Sequence, residues 1–275
     1  MIGRALVCAF ALSIPGWGVL ADTARGADLE ALFAALDVRE TVLVMEEEGA
    51  IYGDQIAAEM LPEADAGGWS ATVARIYNAD RMQRLVEAEL GKALDGVEID
   101  PLLAFFTSDL GTRVIALELA ARRAFMDAAV EEAAMLRADK AQENGDAMMA
   151  LVEAIIEDSD LIELNVIGSL NSNLMFYRGL SDGGAIEISE ADMLGDVWAL
   201  EESSRAETDE WLHAFLLLAY DPLTEDELSQ YAALYRSVQG QQLNAALFQA
   251  YNQMYDELSY LLGQAVAGHM NSAPL

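Results

Sequence analysis

The sequence predicts an all-α fold, built as a duplicated multi-helix array or as paired helical bundles, and three observations predict it. Ala, Leu, Glu, Met and Gln dominate beyond the N-terminal segment, where prolines are confined to Pro62, Pro101, Pro222 and Pro274. Strong helix formers with so few breakers give long helices. Apolar residues recur at helical spacing, as in Ile76, Tyr77, Met82, Leu85, Val86 and Leu90 ahead of Gly91, and no useful length of chain alternates with the period of two that marks a strand. The third observation is an internal repeat, described below, of which each copy holds a short helix, a Ser-x-x-Gly break and a long helix.

The chain opens on Met1-Ile2-Gly3-Arg4, runs through an apolar stretch from Ala5 to Ile14, and meets Pro15-Gly16 before Val19-Leu20-Ala21. Basic start, apolar middle, helix breaker and small residues at the end are the order of a secretory leader. Residues 1–21 are therefore expected to be a signal peptide, cleaved before Asp22. The apolar stretch is shorter than the roughly 20 residues a spanning helix needs. Membrane contact is thus expected only through this segment before cleavage. Cys8, the single cysteine, goes with the leader, which leaves a mature chain without disulfides or thiol chemistry. Export across the inner membrane of a Gram-negative bacterium places the protein in the periplasm.

Asp and Glu number 47 against 15 Lys and Arg, a net charge of −32, and losing Arg4 with the leader makes it one unit more negative. Polyanions and anionic lipid surfaces repel such a chain, because affinity for either comes from basic side chains that displace counterions. Nucleic-acid binding is excluded on that ground. A cationic or apolar protein partner in the envelope suits the charge.

The first helical unit is expected over residues 22–140 and the second over residues 141–268, with 269–275 as a C-terminal tail. Placing Gly111 on Gly240 sets Ser108 on Ser237, Leu102 on Tyr231, Phe106 on Tyr235, Val114 on Leu243 and Phe125 on Met254. Upstream, Leu32, Leu36, Leu43, Gly49, Ile51 and Leu61 fall on Leu151, Ile155, Ile162, Gly168, Leu170 and Leu180, and Gly67-Gly68 answers Gly183-Gly184. The boundary is read near Asp139 to Asp146, where Asn144-Gly145 signals a turn. Leu212 to Tyr220 is too short to cross a bilayer and reads as a buried helix. Each copy presents an apolar face that it cannot bury alone, so the two are expected to pack against each other.

The segment Leu103-Ala104-Phe105-Phe106-Thr107-Ser108-Asp109-Leu110-Gly111 resembles the exported bacterial family known as domain of unknown function 2059, and Ala233-Leu234-Tyr235-Arg236-Ser237-Val238-Gln239-Gly240 is similar to it, giving two motif copies. Asp109 and Val238 stand where that family often has proline. The resemblance implies an envelope location and a helical fold, and no activity or catalytic residue. Read from the residues themselves, Ser108 and Ser237 cap the following helix. Gly111 and Gly240 allow a neighbouring backbone to approach, and Phe105, Phe106 and Tyr235 fill the core below.

Candidate chemistry is thin. Glu210-Trp211-Leu212-His213 puts a carboxylate and an imidazole on one helix face, but a carboxylate-bridged di-iron site needs a second such pair, and the other histidine, His269, follows Val266 at that spacing. Glu46-Glu47-Glu48 and Asp158-Ser159-Asp160 lack the alternation of a calcium loop and read as a solvated helix face and a helix cap. Asp221 to Glu227 reads as a turn with Thr224 and Glu227 as a capping box. No nucleophile elbow and no phosphate-binding glycine loop occurs. Lys92 and Lys140 are the only lysines. No catalytic, cofactor-binding or metal-ligating residue is assigned, no cofactor is expected, and the protein is not expected to be an enzyme. The function read from the sequence is a periplasmic protein-interaction module, with a small-molecule or ion binder and a carboxylate-dependent hydrolase as alternatives.

Overall fold

The computed structural model describes residues 17–61 and 66–272. The expected leader lies outside the described residues as far as residue 16, and residues 17–21 form the first turns of α1. The helices are α1 (Trp17–Ala35), α2 (Val38–Met60), α3 (Ala66–Ile76), α4 (Ala79–Ala93), α5 (Asp100–Phe106), α6 (Asp109–Ala124) and α7 (Ala128–Asn144), then α8 (Ala147–Asp158), α9 (Leu161–Asp182), α10 (Glu190–Trp198), α11 (Glu201–Tyr220), α12 (Glu225–Arg236) and α13 (Val238–Ser272). The described residues contain no strand, and the fold is all-α.

Local chemistry sets the helix boundaries. Ser108 Oγ accepts the Gly111 N–H at 3.1 Å and Ser237 Oγ accepts the Gly240 N–H at 3.0 Å, each filling one of the orphan donors at a helix start. Both hydroxyls also donate back, at 2.6 Å, to the carbonyls of Phe105 and Leu234. A Cβ on Gly111 would collide with the Phe105 carbonyl, and one on Gly240 with that of Leu234, so the sharp corner itself requires glycine. Thr224 and Glu227 form the reciprocal capping box. Gly145 closes α7 in the left-handed region at φ 65°, and Asp146 caps α8.

The order of elements runs twice. α1 packs on α5 as α8 packs on α12; α2 packs on α3 and α4 as α9 packs on α10 and α11; α5 meets α6 as α12 meets α13. α2 and α9 both begin after an aspartate in the left-handed region, Asp37 and Asp160, each at φ 50°. The long final helix of each unit crosses to the other: α13 lies along α4, while α6 and α7 lie along α11. A single apolar cluster accordingly runs from Leu32 to Val266.

Three details depart from the expected pattern. The upstream register is shifted, because Asp37 stands with Asp160 and not with Ile156; Gly68 opens α3, whereas Gly183-Gly184 close α9. The first unit's long helix is broken at residues 125–127, where Asp127 caps α7 by accepting the Ala129 N–H, whereas α13 is continuous over 35 residues. The segment from 269 onward, read as a tail, is helical to Ser272, and the His269 ring meets the Trp69 ring edge-on at 5.2 Å.

Candidate functional site

Three places gather polar groups. In the first, Glu118 on α6 accepts hydrogen bonds from the hydroxyls of Tyr220 at 2.7 Å and Tyr231 at 2.9 Å, and Tyr231 in turn meets the Tyr235 hydroxyl at 3.2 Å. The carboxylate is brought there because α6 packs on α11, and α12 supplies the other two rings. Burial pushes the Glu118 pKa above its ordinary value, while the two phenols pull it down. A cavity of about 60 Å³ adjoins it, floored by Phe106, Leu234 and Gly240 of the Ser-x-x-Gly corners. It has room for a water molecule or two and no more.

The second place is a groove over α2. Arg122 donates to both carboxylate oxygens of Glu48, at 2.7 and 2.8 Å, and to the Tyr255 hydroxyl at 3.1 Å. On one side of this fork is a hollow of about 260 Å³ lined by Tyr52, Tyr77, Ser169, Ser172, Asn173, Phe176 and Ser259. On the other is one of about 320 Å³, lined by Ile51, Gln55, Phe125, Met126 and Trp211. Gly49 lets the Tyr77 ring pack directly on α2 in the wall of the first hollow, since a Cβ there would strike that ring.

The third is an open cleft of about 560 Å³ between the α8–α9 corner and α11. Glu157, Asp160, Glu163, Glu202 and Asp209 line it with Ile156, Ile162 and Ala206, and Arg205 bridges it by binding Glu163 at 2.7 Å and Glu201 at 2.8 Å. Only Arg205 offsets these carboxylates within the cleft.

The residues singled out in the sequence separate from one another. His213 is buried and its Nδ1–H donates to the Asp209 carbonyl at 2.7 Å, while Glu210 is exposed. His269 likewise donates to the Ala265 carbonyl at 2.9 Å. Glu46 to Glu48 is not simply a solvated face: Glu46 accepts the Ala79 N–H at the start of α4, and Glu48 holds Arg122. Asp160 occupies the residue before α9 without a side-chain capping bond, and Asp158 pairs with Arg236. No group of three or more His, Cys, Asp or Glu among the described residues is placed to hold a metal ion. No described helix is long and apolar enough to cross a membrane.

Sequence reasoning missed Glu118 and Arg122. Their partners lie far along the chain, and no local spacing announces them. No curated protein and no solved structure matches the chain. Residues 80–140, which carry α4 to α6, most of α7 and the first Ser-x-x-Gly corner, match the bacterial family described as uncharacterized protein conserved in bacteria (DUF2059), the family that this corner resembles in sequence; the second corner lies outside the match.

Proposed function

We propose that the protein is an exported, non-catalytic interaction module of the periplasm that holds a cationic protein partner. The observation that carries this reading is the acidic cleft beside α11, where five carboxylates face solvent against one arginine. Elsewhere the arginines are largely spent inside the molecule. Arg39, Arg113, Arg122, Arg123 and Arg236 each bind a carboxylate of another helix, so the charge left over is negative. Complementary charge of this kind speeds encounter and rejects anionic partners. Support for a non-catalytic role is that His213 is committed to a backbone carbonyl and Glu118 to tyrosine hydroxyls. Tagged protein recovered from cells should begin at Asp22 and should retain basic proteins from a periplasmic extract at low salt, releasing them as salt rises. Recovery of nothing at low salt counts against the reading.

The groove over α2 favours a second reading, a binder of a small neutral polar molecule. Arg122 and Glu48 cancel each other's charge beside it, while Ser169, Ser172, Asn173 and Ser259 are uncharged polar residues in its lining. Thermal unfolding against a panel of neutral sugars and polyols tests it. A ligand present at 100 times its Kd stabilises by about 2.7 kcal/mol, so an unmoved Tm across the panel disposes of this alternative.

A further inference from the structure

α3 and α10 occupy the same place in the two units, yet they are covered differently. Each is a short helix resting on the long second helix of its unit, and each ends two residues before the cap of the next helix, with Ile76 before Asn78 and Trp198 before Leu200. α3 is held from two sides. α2 supports it, with the Trp69 indole N–H donating to the Gly53 carbonyl at 2.8 Å, and the end of α13 covers it, with His269 against Trp69. Ile76 is accordingly only 6% exposed.

α10 has one of these supports. Met193 and Val197 are buried on α9, where Val197 joins Val166 and Leu170 in a small cluster separate from the main core. The flank beside that buried stripe stands open, with Leu194 49% exposed and Trp198 72%, as does the turn into α11, with Leu200 40% exposed, and a Cβ on Gly195 would meet nothing within 4 Å. The cause lies in the break at residues 125–127. α13 runs straight on to α3, whereas α7, its counterpart after the break, packs on α11 and α8. The first unit's long helix therefore does not roof α10 as α13 roofs α3. A large aromatic residue left this exposed beside other apolar side chains marks a contact surface.

Taking the protein as the interaction module proposed above, we infer that the outer face of α10 and its turn into α11 seats a basic amphipathic helix of a protein partner. The shape of the occupant follows from the other unit, where a helix fills the equivalent position. Its charge follows from the surroundings. Glu202 stands two residues beyond Leu200, where the acidic cleft begins. Apolar residues of the incoming helix cover Leu194, Trp198 and Leu200, and its lysines or arginines reach the cleft.

The test titrates the protein with a synthetic 18-residue amphipathic helix of Leu and Lys, followed by calorimetry and by tryptophan emission, to which the exposed Trp198 contributes. Expected is saturable binding that shifts the emission to the blue, weakens with salt, and falls at least tenfold in the Trp198→Ala plus Leu194→Asp variant. Both substitutions lie on the exposed face, so circular dichroism should show unchanged helicity. Equal binding by the variant, read by calorimetry, overturns this seat while leaving the cationic-partner reading in place, because the peptide then sits elsewhere on the acidic surface. No binding of the Lys peptide overturns both. Equal binding of a Leu–Glu peptide overturns the basic character of the occupant, and a preference for phosphatidylcholine vesicles over either peptide replaces the protein partner with a lipid surface.

Discussion

Glu118 stands among phenols that come from 102 and 113 residues further along the chain, and its titration is the most direct handle on the interior. Its pKa is raised by burial, so the folded state holds the proton more tightly than the unfolded chain does. The protonated group thus favours folding at low pH, and that contribution is lost as pH climbs from the ordinary carboxylate value through the raised one. The amide introduced by Glu118→Gln would still accept from both hydroxyls and would carry no charge to desolvate. The expected outcome is that Glu118→Gln gains on the natural protein at pH 7.5 and that the gain shrinks towards pH 4.5, as measured by urea unfolding at both values. A gain that grows on acidification would mean that the two phenol bonds outweigh burial. Residues of this kind cannot be read from sequence, since nothing within a helical turn of Glu118 names Tyr220 or Tyr231. Ser108 and Ser237 could be read because their partners, Gly111 and Gly240, lie three residues away.

Among the elements, α9 and α13 make the most extensive helix contact, and they cross where Gly179 faces Gly263. A Cβ on Gly263 would collide with the Phe176 carbonyl, and one on Gly179 with the Tyr260 carbonyl. Backbone cannot swing aside as a side chain does, so Gly263→Ala must push the helices apart. Overpacking of this kind costs about 1–3 kcal/mol, against a propensity gain of up to about 1 kcal/mol for alanine in a helix. A fall in Tm of roughly 3–6 °C is expected for Gly263→Ala by calorimetry. Gly195→Ala in α10, with open space around it, should instead hold or raise Tm. Equal behaviour of the two variants would show that the crossing has slack. Much at this scale was legible: the capping box at Thr224, the turn at Gly145 and the corners at Gly111 and Gly240 all rest on short-range rules. The upstream register was not, because Gly68 starts a helix while Gly183-Gly184 end one, and equal residues in unequal roles align falsely. The break at residues 125–127 was also missed, since it carries neither proline nor glycine and is marked only by the Asp127 cap. That missed break uncovers α10 and with it the proposed seat.

For the whole molecule the question is which electrostatic effect prevails in a chain of net charge −32. Salt weakens the surface ion pairs, such as Arg39 with Asp80 and Arg123 with Glu40, but exposed pairs contribute only about 0–1 kcal/mol each. It also screens the repulsion among the carboxylates that have no basic partner, which number far more than the pairs, over a Debye length of about 10 Å at 0.1 M. Repulsion should prevail, and Tm should climb as sodium chloride is raised from 10 to 300 mM. Acid acts on the same balance with a turning point. Glu118 and Asp256, whose pKa values are raised by burial, bind protons more tightly in the folded state than in the unfolded chain, so the folded state gains from both as pH falls. Glu227 works the other way. Its pKa is held low chiefly by the Thr224 backbone N–H, so its contribution is full above the ordinary carboxylate value and is lost as pH drops through the lowered one. Stability should therefore peak on the acid side of neutral and decline where Glu227 protonates. Calorimetry from pH 4 to pH 8 at constant ionic strength checks the position of that peak. A maximum at or above pH 7, or a Tm that drops as salt is added, would show that the ion pairs between helices outweigh the excess negative charge.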